Sequence, residues 1–197
     1  MKKNRNMDII CKKIWHSTNS DSEIIRNIEC AKHRDSKFDI NWINKGKGYN
    51  YTLMCAVYYG RKELVEYLLS DSNIDVNLGN SRWGNTAFHA LCSMYNSNRI
   101  LKLFLSHRDI NVNAQNFERW TGLHFACWDG HIKCVKELLL DVRINTSIRN
   151  GEGNTARDIA IRRRHLGIAN ILRKTGYTSL LRIFCYDIAR MIIENYV

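Results

Sequence analysis

Seven cysteines, seven histidines and one glycine-rich run are the residues of this chain whose types could do chemistry, and their spacing decides which chemistry is open. The cysteines, Cys11, Cys30, Cys55, Cys92, Cys127, Cys134 and Cys185, never form Cys-x-x-Cys, and their odd number does not fit a disulfide framework. They read as reduced thiols packed among apolar neighbours. No His-x-x-x-His and no clustered carboxylate set has ligand spacing, so no metal is expected. Gly151-Glu152-Gly153-Asn154-Thr155-Ala156 matches Gly-x-Gly-x-x-Ala, the pattern that cradles a dinucleotide pyrophosphate. That chemistry needs a buried strand immediately upstream, and the polar stretch from Arg143 to Asn150 does not supply one. With no Gly-x-Ser-x-Gly, phosphate-binding loop or oriented Cys/His pair, the sequence offers no catalytic residues and calls for no cofactor.

The histidines make sense only through the elements that carry them. His124 lies in Thr121-Gly122-Leu123-His124-Phe125-Ala126, and His89 in Thr86-Ala87-Phe88-His89-Ala90-Leu91, 35 residues upstream. Tyr51-Thr52-Leu53-Met54-Cys55-Ala56 lies another 35 before that, and Thr155-Ala156-Arg157-Asp158-Ile159-Ala160 follows at 34. A degraded hexamer recurring at this period marks a stack of supersecondary units. The hexamer approximates Thr-Pro-Leu-His-x-Ala, and the chain resembles the ankyrin-repeat family, whose unit is a turn followed by two helices. The resemblance implies an all-α repeat solenoid of helix pairs joined by β-hairpin loops. It also makes His89 and His124 structural, tying adjacent turns together.

Four units follow one script, at 47–80, 81–116, 117–150 and 151–178. Their first helices are expected over Leu53 to Tyr59, Phe88 to Tyr95, Leu123 to Asp129 and Arg157 to Arg164. The second helices carry stripes spaced by three and four: Leu64, Val65, Leu68, Leu69; Ile100, Leu101, Phe104, Leu105; Cys134, Val135, Leu138, Leu139; and Ile168, Ala169, Leu172. Gly60 and Gly130 mark the turn between helices, where positive φ is easiest for glycine. Tyr95-Asn96-Ser97-Asn98 and Arg164-His165 depart from that pattern and predict looser turns. Residues 1–46 read as a divergent N-terminal capping repeat, with the stripe Glu23-Ile24-Ile25-x-x-Ile28 and the link Asp39-Ile40-Asn41. Residues 179–197 read as a C-terminal amphipathic capping helix. The chain has no proline, so Thr52, Ala87, Gly122 and Ala156 fill the proline slot and inter-repeat packing must hold the helices.

What remains for function is a surface. The resemblance implies that partners dock on a concave face built from hairpin tips and the pair of residues before each helix turn. The pairs here are Tyr58-Tyr59, Ser93-Met94, Trp128-Asp129 and Arg162-Arg163, and the tips add Tyr49, Arg82, Trp83, Phe117, Arg119 and Trp120. Trp, Tyr and Arg dominate interface hot spots because a large, stiff side chain buries much area with few rotors to freeze. The expected contact set is therefore Tyr58, Tyr59, Trp83, Met94, Phe117, Arg119, Trp120, Trp128, Arg162 and Arg163, and the expected function is non-enzymatic protein binding by a monomer.

The formal charge of +11 is spread unevenly. Residues 1–46 carry ten Lys/Arg against six Asp/Glu, 47–150 twelve against nine, and 151–197 eight against four. The sharpest basic run, Arg162-Arg163-Arg164-His165, suits an acidic protein partner. Basic residues among exposed aromatics also bind single-stranded nucleic acid, the less favoured alternative. Leu181-x-x-x-Cys185 followed by Arg190 partly resembles the elongin-binding helix of a SOCS box, which would make the chain a ubiquitin-ligase substrate adaptor; Leu180 and Ala189 depart from that pattern. Asn77 and Asn113, each eight residues after a leucine, have the spacing of ankyrin substrates of asparaginyl hydroxylase. No secretory leader or membrane span is evident, so an intracellular location is expected, cytoplasmic with the nucleus as alternative. Abundant Lys, Asn and Ile fits an AT-rich genome such as that of a virus or parasite.

Overall fold

The structure, a computed structural model, describes residues 10, 14, 19–36, 38–41, 52–94 and 98–173. The first helix described over its whole length, α1 (Asp21–Arg34), is capped by Ser20, whose hydroxyl accepts the Glu23 N–H at 3.2 Å. Acidic residues open its first turn and basic residues close its last, as the helix dipole favours. Three helix pairs follow: α2 (Thr52–Tyr58) with α3 (Lys62–Ser70), α4 (Ala87–Cys92) with α5 (Asn98–Ser106), and α6 (Gly122–Trp128) with α7 (Ile132–Leu138). Finally α8 (Ala156–Arg162) leads into helical residues 166–173. First helices pack in one row, α2 on α4 on α6 on α8, and α1, α3, α5 and α7 form a second row behind them. This two-layered stack is the all-α repeat solenoid that the period implies.

Each first helix starts one residue earlier than the hexamer reading placed it, and ends earlier too. The threonine of the hexamer is the N-cap in the later units: Thr86, Thr121 and Thr155 hold extended backbone, and the next residue is the first helical one. The proline slot is thus the first helical position. At Gly122 a Cβ would lie 2.8 Å from Cys92 Sγ and 3.0 Å from the Phe88 ring, so close packing of α6 on α4 selects glycine there. The second-helix stripes point into the stack: Leu64, Val65, Leu68, Leu101, Phe104, Val135 and Leu138 are completely buried, and Ile168, Ala169 and Leu172 nearly so. Ile24 and Ile28 of α1 are buried in the same manner. Cys55, Cys92, Cys127 and Cys134 are free thiols in this core; Cys30 is free and exposed.

The links between units are tied by a ladder of asparagines. Asn41 Nδ2 donates to the Asn73 carbonyl at 2.7 Å while its Oδ1 accepts the Asp75 N–H at 2.8 Å. Asn77 repeats this with the Asp109 carbonyl and Asn111 N–H, and Asn113 with the Arg143 carbonyl and Asn145 N–H. The hairpin tips close on backbone bonds, Asn80 N–H to Asn85 O, Asn116 N–H to Trp120 O and Asn150 N–H to Asn154 O, each 2.8 to 2.9 Å. Neighbouring tips join through Phe117 N–H to Trp83 O at 3.0 Å and Gly151 N–H to Glu118 O at 2.8 Å. Among the described residues these tips make only an isolated antiparallel bridge, Arg149 with Thr155.

The turn at Arg164 is not looser than the others. Arg164 takes φ 62°, beside 64° at Gly60 and 75° at Gly130, and the His165 N–H reaches the Ala160 carbonyl at 2.8 Å. The equivalent bonds from Arg61 and His131 are both 2.9 Å, so the arginine accepts the glycine conformation and keeps the turn. The turn at Tyr95-Asn96-Ser97, the tip residue Tyr49, the N-terminal basic residues and the C-terminal helix with Leu181, Cys185 and Arg190 lie outside the described residues.

Candidate functional site

His89 and His124 hold units together rather than facing a ligand. The Thr86 N–H donates to His89 Nδ1 at 3.0 Å, so the ring proton sits on Nε2, which donates to the Ala114 and Trp120 carbonyls of the next tip at 2.9 and 3.0 Å. His124 does the same with Thr121 N–H at 3.2 Å and the Asn154 carbonyl at 3.1 Å. Burial pushes both imidazoles below the ordinary histidine pKa. In α8 the slot holds Asp158, which accepts from the Thr155 N–H and hydroxyl; those bonds hold its carboxyl below the usual range. The glycine-rich run at Gly151 to Gly153 is a hairpin tip, with Asn150 Oδ1 accepting the Glu152 and Asn154 N–H groups. Among the described residues, no group of three or more His, Cys, Asp or Glu side chains is placed to hold a metal ion.

The expected contact residues divide by environment. On the α6 unit they converge. Trp120, half-buried, leaves its tip and lies along α6 beside Phe125, centroids 5.3 Å apart, and meets Trp128 edge-on at 5.5 Å. The Arg163 guanidinium stacks 4.3 Å over the Trp128 ring and its Nε donates to the Trp128 carbonyl at 3.2 Å. Trp128 remains 38% exposed, so the cluster has a solvent-facing edge. Asp129 stands beside it; burial lifts its carboxyl against the pull of His131, Arg163 and His165. Arg162 is paired with Glu152 at 2.8 Å.

The remaining members sit apart from that cluster. Tyr58 and Tyr59 pack edge to face at 5.4 Å and are 65% and 44% exposed. Trp83 lies under Arg82, the guanidinium 5.2 Å from its ring. Phe117 is exposed, its ring covering Gly84. Met94 is half-buried against the core. Phe125 is the member that sequence reasoning passed over. It fills the variable slot of the hexamer, three residues before Trp128 and so on the same helical face, a spacing that could have found it.

Two tip residues depart from their siblings in ways that cost stability. Arg119 takes φ 61° in the slot where Gly84 and Gly153 take 69° and 79°. Asn116 Nδ2 donates to Asn85 Oδ1 at 2.8 Å, but the position matching Asn85 in the next unit is Trp120, which offers no side-chain acceptor. Asn150 Nδ2 is accordingly buried without a hydrogen-bond partner.

A stack of helix pairs whose hexamer histidines and link asparagines pass hydrogen bonds from unit to unit is a repeat solenoid. The family model for ankyrin repeats, in three copies, matches residues 22–116, 53–148 and 88–181, and the chain belongs to the ankyrin-repeat family. It is 30% identical over 126 residues to human transient receptor potential cation channel subfamily A member 1, covering 64% of this chain and 11% of that protein. With an ankyrin repeat protein of Fowlpox virus (strain NVSL) it shares 32% over 138 residues, 68% of this chain and 40% of that protein. The SMC5-SMC6 complex localization factor protein 1 of Bos taurus is 31% identical over 99 residues, 9% of its length. The chain therefore spans less than half of each of these relatives. Ankyrin repeats are in general protein-interaction modules, and the family is typically non-enzymatic. Among the described residues no helix is long and apolar enough to cross a membrane.

Proposed function

We propose that this chain is a non-catalytic module that binds another protein through the face shared by hairpin tips and first-helix ends, centred on Trp120, Phe125, Trp128 and Arg163. The observation that carries the reading is the ring cluster itself: three aromatics and a guanidinium in successive contact, Phe125 to Trp120 to Trp128 to Arg163, with an exposed edge. Stacking freezes these side chains before a partner arrives, which lowers the ordering cost of association. Tyr58, Tyr59, Trp83, Phe117, Arg119 and Arg162 extend the surface along the stack, while Met94 supports it from the core side. The organisation that goes with this reading is a capping unit over 1–46, four repeats over 47–178 and a terminal segment over 179–197, working as a monomer inside the cell.

Affinity purification of the full chain with mass spectrometry identifies the partner, and Trp128→Ala and Trp120→Ala then test the face. Each should weaken the interaction about tenfold or more, roughly 1.4 kcal/mol. Trp120 is half-buried, so its variant also loses stability and Trp128→Ala is the cleaner reporter. A partner bound undiminished by the double variant overturns the reading.

A further inference from the structure

Among the described residues the non-glycine residues at positive φ are two arginines, Arg119 at 61° and Arg164 at 62°. Each stands in a slot that two other units fill with glycine, Gly84 and Gly153 for the tip, Gly60 and Gly130 for the helix turn. Both side chains are exposed, and among the described residues neither guanidinium makes an ion pair or hydrogen bond, so the arginine side chains return nothing to the fold for the strained backbone. In the chain they also adjoin the ring cluster. Arg119 precedes Trp120, Trp120 touches Trp128, Arg163 stacks on Trp128, and Arg164 comes next in the chain. The resulting track runs cation, rings, cations. Of the acidic groups nearby, Glu152 is committed to Arg162, leaving Glu118 and Asp129 against Arg119, Arg163 and Arg164.

We infer that the track recognises an acidic linear peptide segment, with an aromatic or aliphatic side chain against the Trp120 and Trp128 rings and carboxylates on both sides of it held by Arg119 and Arg164. This rests on the proposed binding face and adds the chemistry of its occupant. An extended segment fits because Arg119 and Arg164 adjoin opposite ends of the contact chain that runs from Trp120 through Trp128 to Arg163, and a planar fork suits carboxylates that approach edge-on. Binding is then partly coulombic and weakens with added salt.

The test is selection of a displayed library of random peptides of about twelve residues on the full chain, on Arg119→Gly/Arg164→Gly, and on Trp120→Ala/Trp128→Ala. Glycine is what two sibling units carry at each slot, with the same positive φ, so the first variant keeps the fold. Wild type should enrich peptides with Asp or Glu on both sides of an apolar anchor. The double glycine variant should keep the apolar preference, lose the acidic one, and bind the selected peptides about tenfold more weakly at low salt. The inference is overturned if no peptide is enriched, if the enriched ones lack acidic residues, or if their affinity ignores the glycine substitutions. Single-stranded oligothymidylate bound more tightly by wild type than by the glycine variant would assign the arginines to phosphate and also overturn it. Acidic peptides bound equally by the Trp120→Ala/Trp128→Ala variant would overturn the underlying face instead.

Discussion

Replacing Arg119 or Arg164 by glycine should make this protein more stable. A non-glycine residue in the left-handed region pays about 1–2 kcal/mol because Cβ crowds the following carbonyl. Glycine removes that cost but adds backbone entropy to the unfolded chain, about 0.5–1 kcal/mol. The balance is a gain of roughly 0.5–1 kcal/mol per site, or about 1–2 kcal/mol for the pair if distant sites add. At about 2–4 °C per kcal/mol for a chain of this size, the double variant should melt about 2–8 °C higher. Thermal unfolding of the full chain followed by circular dichroism reads the shift. The structure supplies its own calibration. A Cβ built on Gly60 or Gly153 meets nothing within 4 Å, so Gly60→Ala and Gly153→Ala report the backbone cost alone and should each destabilise by about 1 kcal/mol. Gly84→Ala should cost more, since its Cβ would also lie 2.6 Å from the Phe117 ring. A lower melting temperature for Arg119→Gly, or a neutral Gly153→Ala, would refute the argument that strain is stored at these slots.

Leu68 and Leu138 are fully buried stripe residues, so truncation to alanine should cost about 2–5 kcal/mol in urea unfolding; an unchanged midpoint would contradict the register. Asn77→Ala removes one donated and one accepted inter-unit bond and should cost about 1–3 kcal/mol, with Asn77→Asp intermediate because it retains the acceptor. Stability should also fall on mild acidification. His89 and His124 have folded pKa values below the ordinary histidine value, so the unfolded chain takes up protons from about pH 6.5 downward that the folded chain refuses. Their contribution is complete above that pH and is lost as pH drops toward the folded pKa values. Urea midpoints at pH 7.5 and 5.5 measure the slope, which His89→Gln/His124→Gln should flatten; an equal slope in the variant would sink the assignment. Asp71, Asp141 and Asp158, whose pKa values are lowered, act in the same direction but near the carboxylate range.

The period and the stripe made the two layers legible, because burial follows from which residues share a helix face. Leu64, Phe104 and Val135 lie where three-and-four spacing puts them, and the hexamer histidines tie turns as the motif implies. Periodicity carries neither φ nor hydrogen-bond direction. Arg164 thus reads as a loosened turn when it adopts the glycine geometry unaltered, and Asn41, Asn77 and Asn113 read as link positions, the last two with the spacing of a modification site, with no sign that each bridges two units. The site was partly legible for a similar reason. Trp120, Trp128 and Arg163 could be placed on one face from their slots, but their stacking depends on Phe125, whose slot in the motif is unspecified.

The slots where this chain departs from its own siblings separate into two kinds. At Gly122 the departure improves packing, since the space beside Cys92 and Phe88 admits no Cβ. At Arg119, Trp120 and Arg164 it works against the fold: two backbones are held at positive φ, and the amide of Asn150 is left buried and unpaired where Asn85 serves Asn116, a loss on the order of 1–3 kcal/mol. Sequences agree with their fold at most positions, and their disagreements gather where another demand is met. Here three unfavourable residues lie on one track, joined through the contact of Trp120 with Trp128 and of Trp128 with Arg163. An internal repeat thereby acts as its own reference state. Stability alone would restore glycine, asparagine and glycine at these three positions, so the chemistry they bring instead, two guanidinium groups and an indole, is where recognition is to be sought.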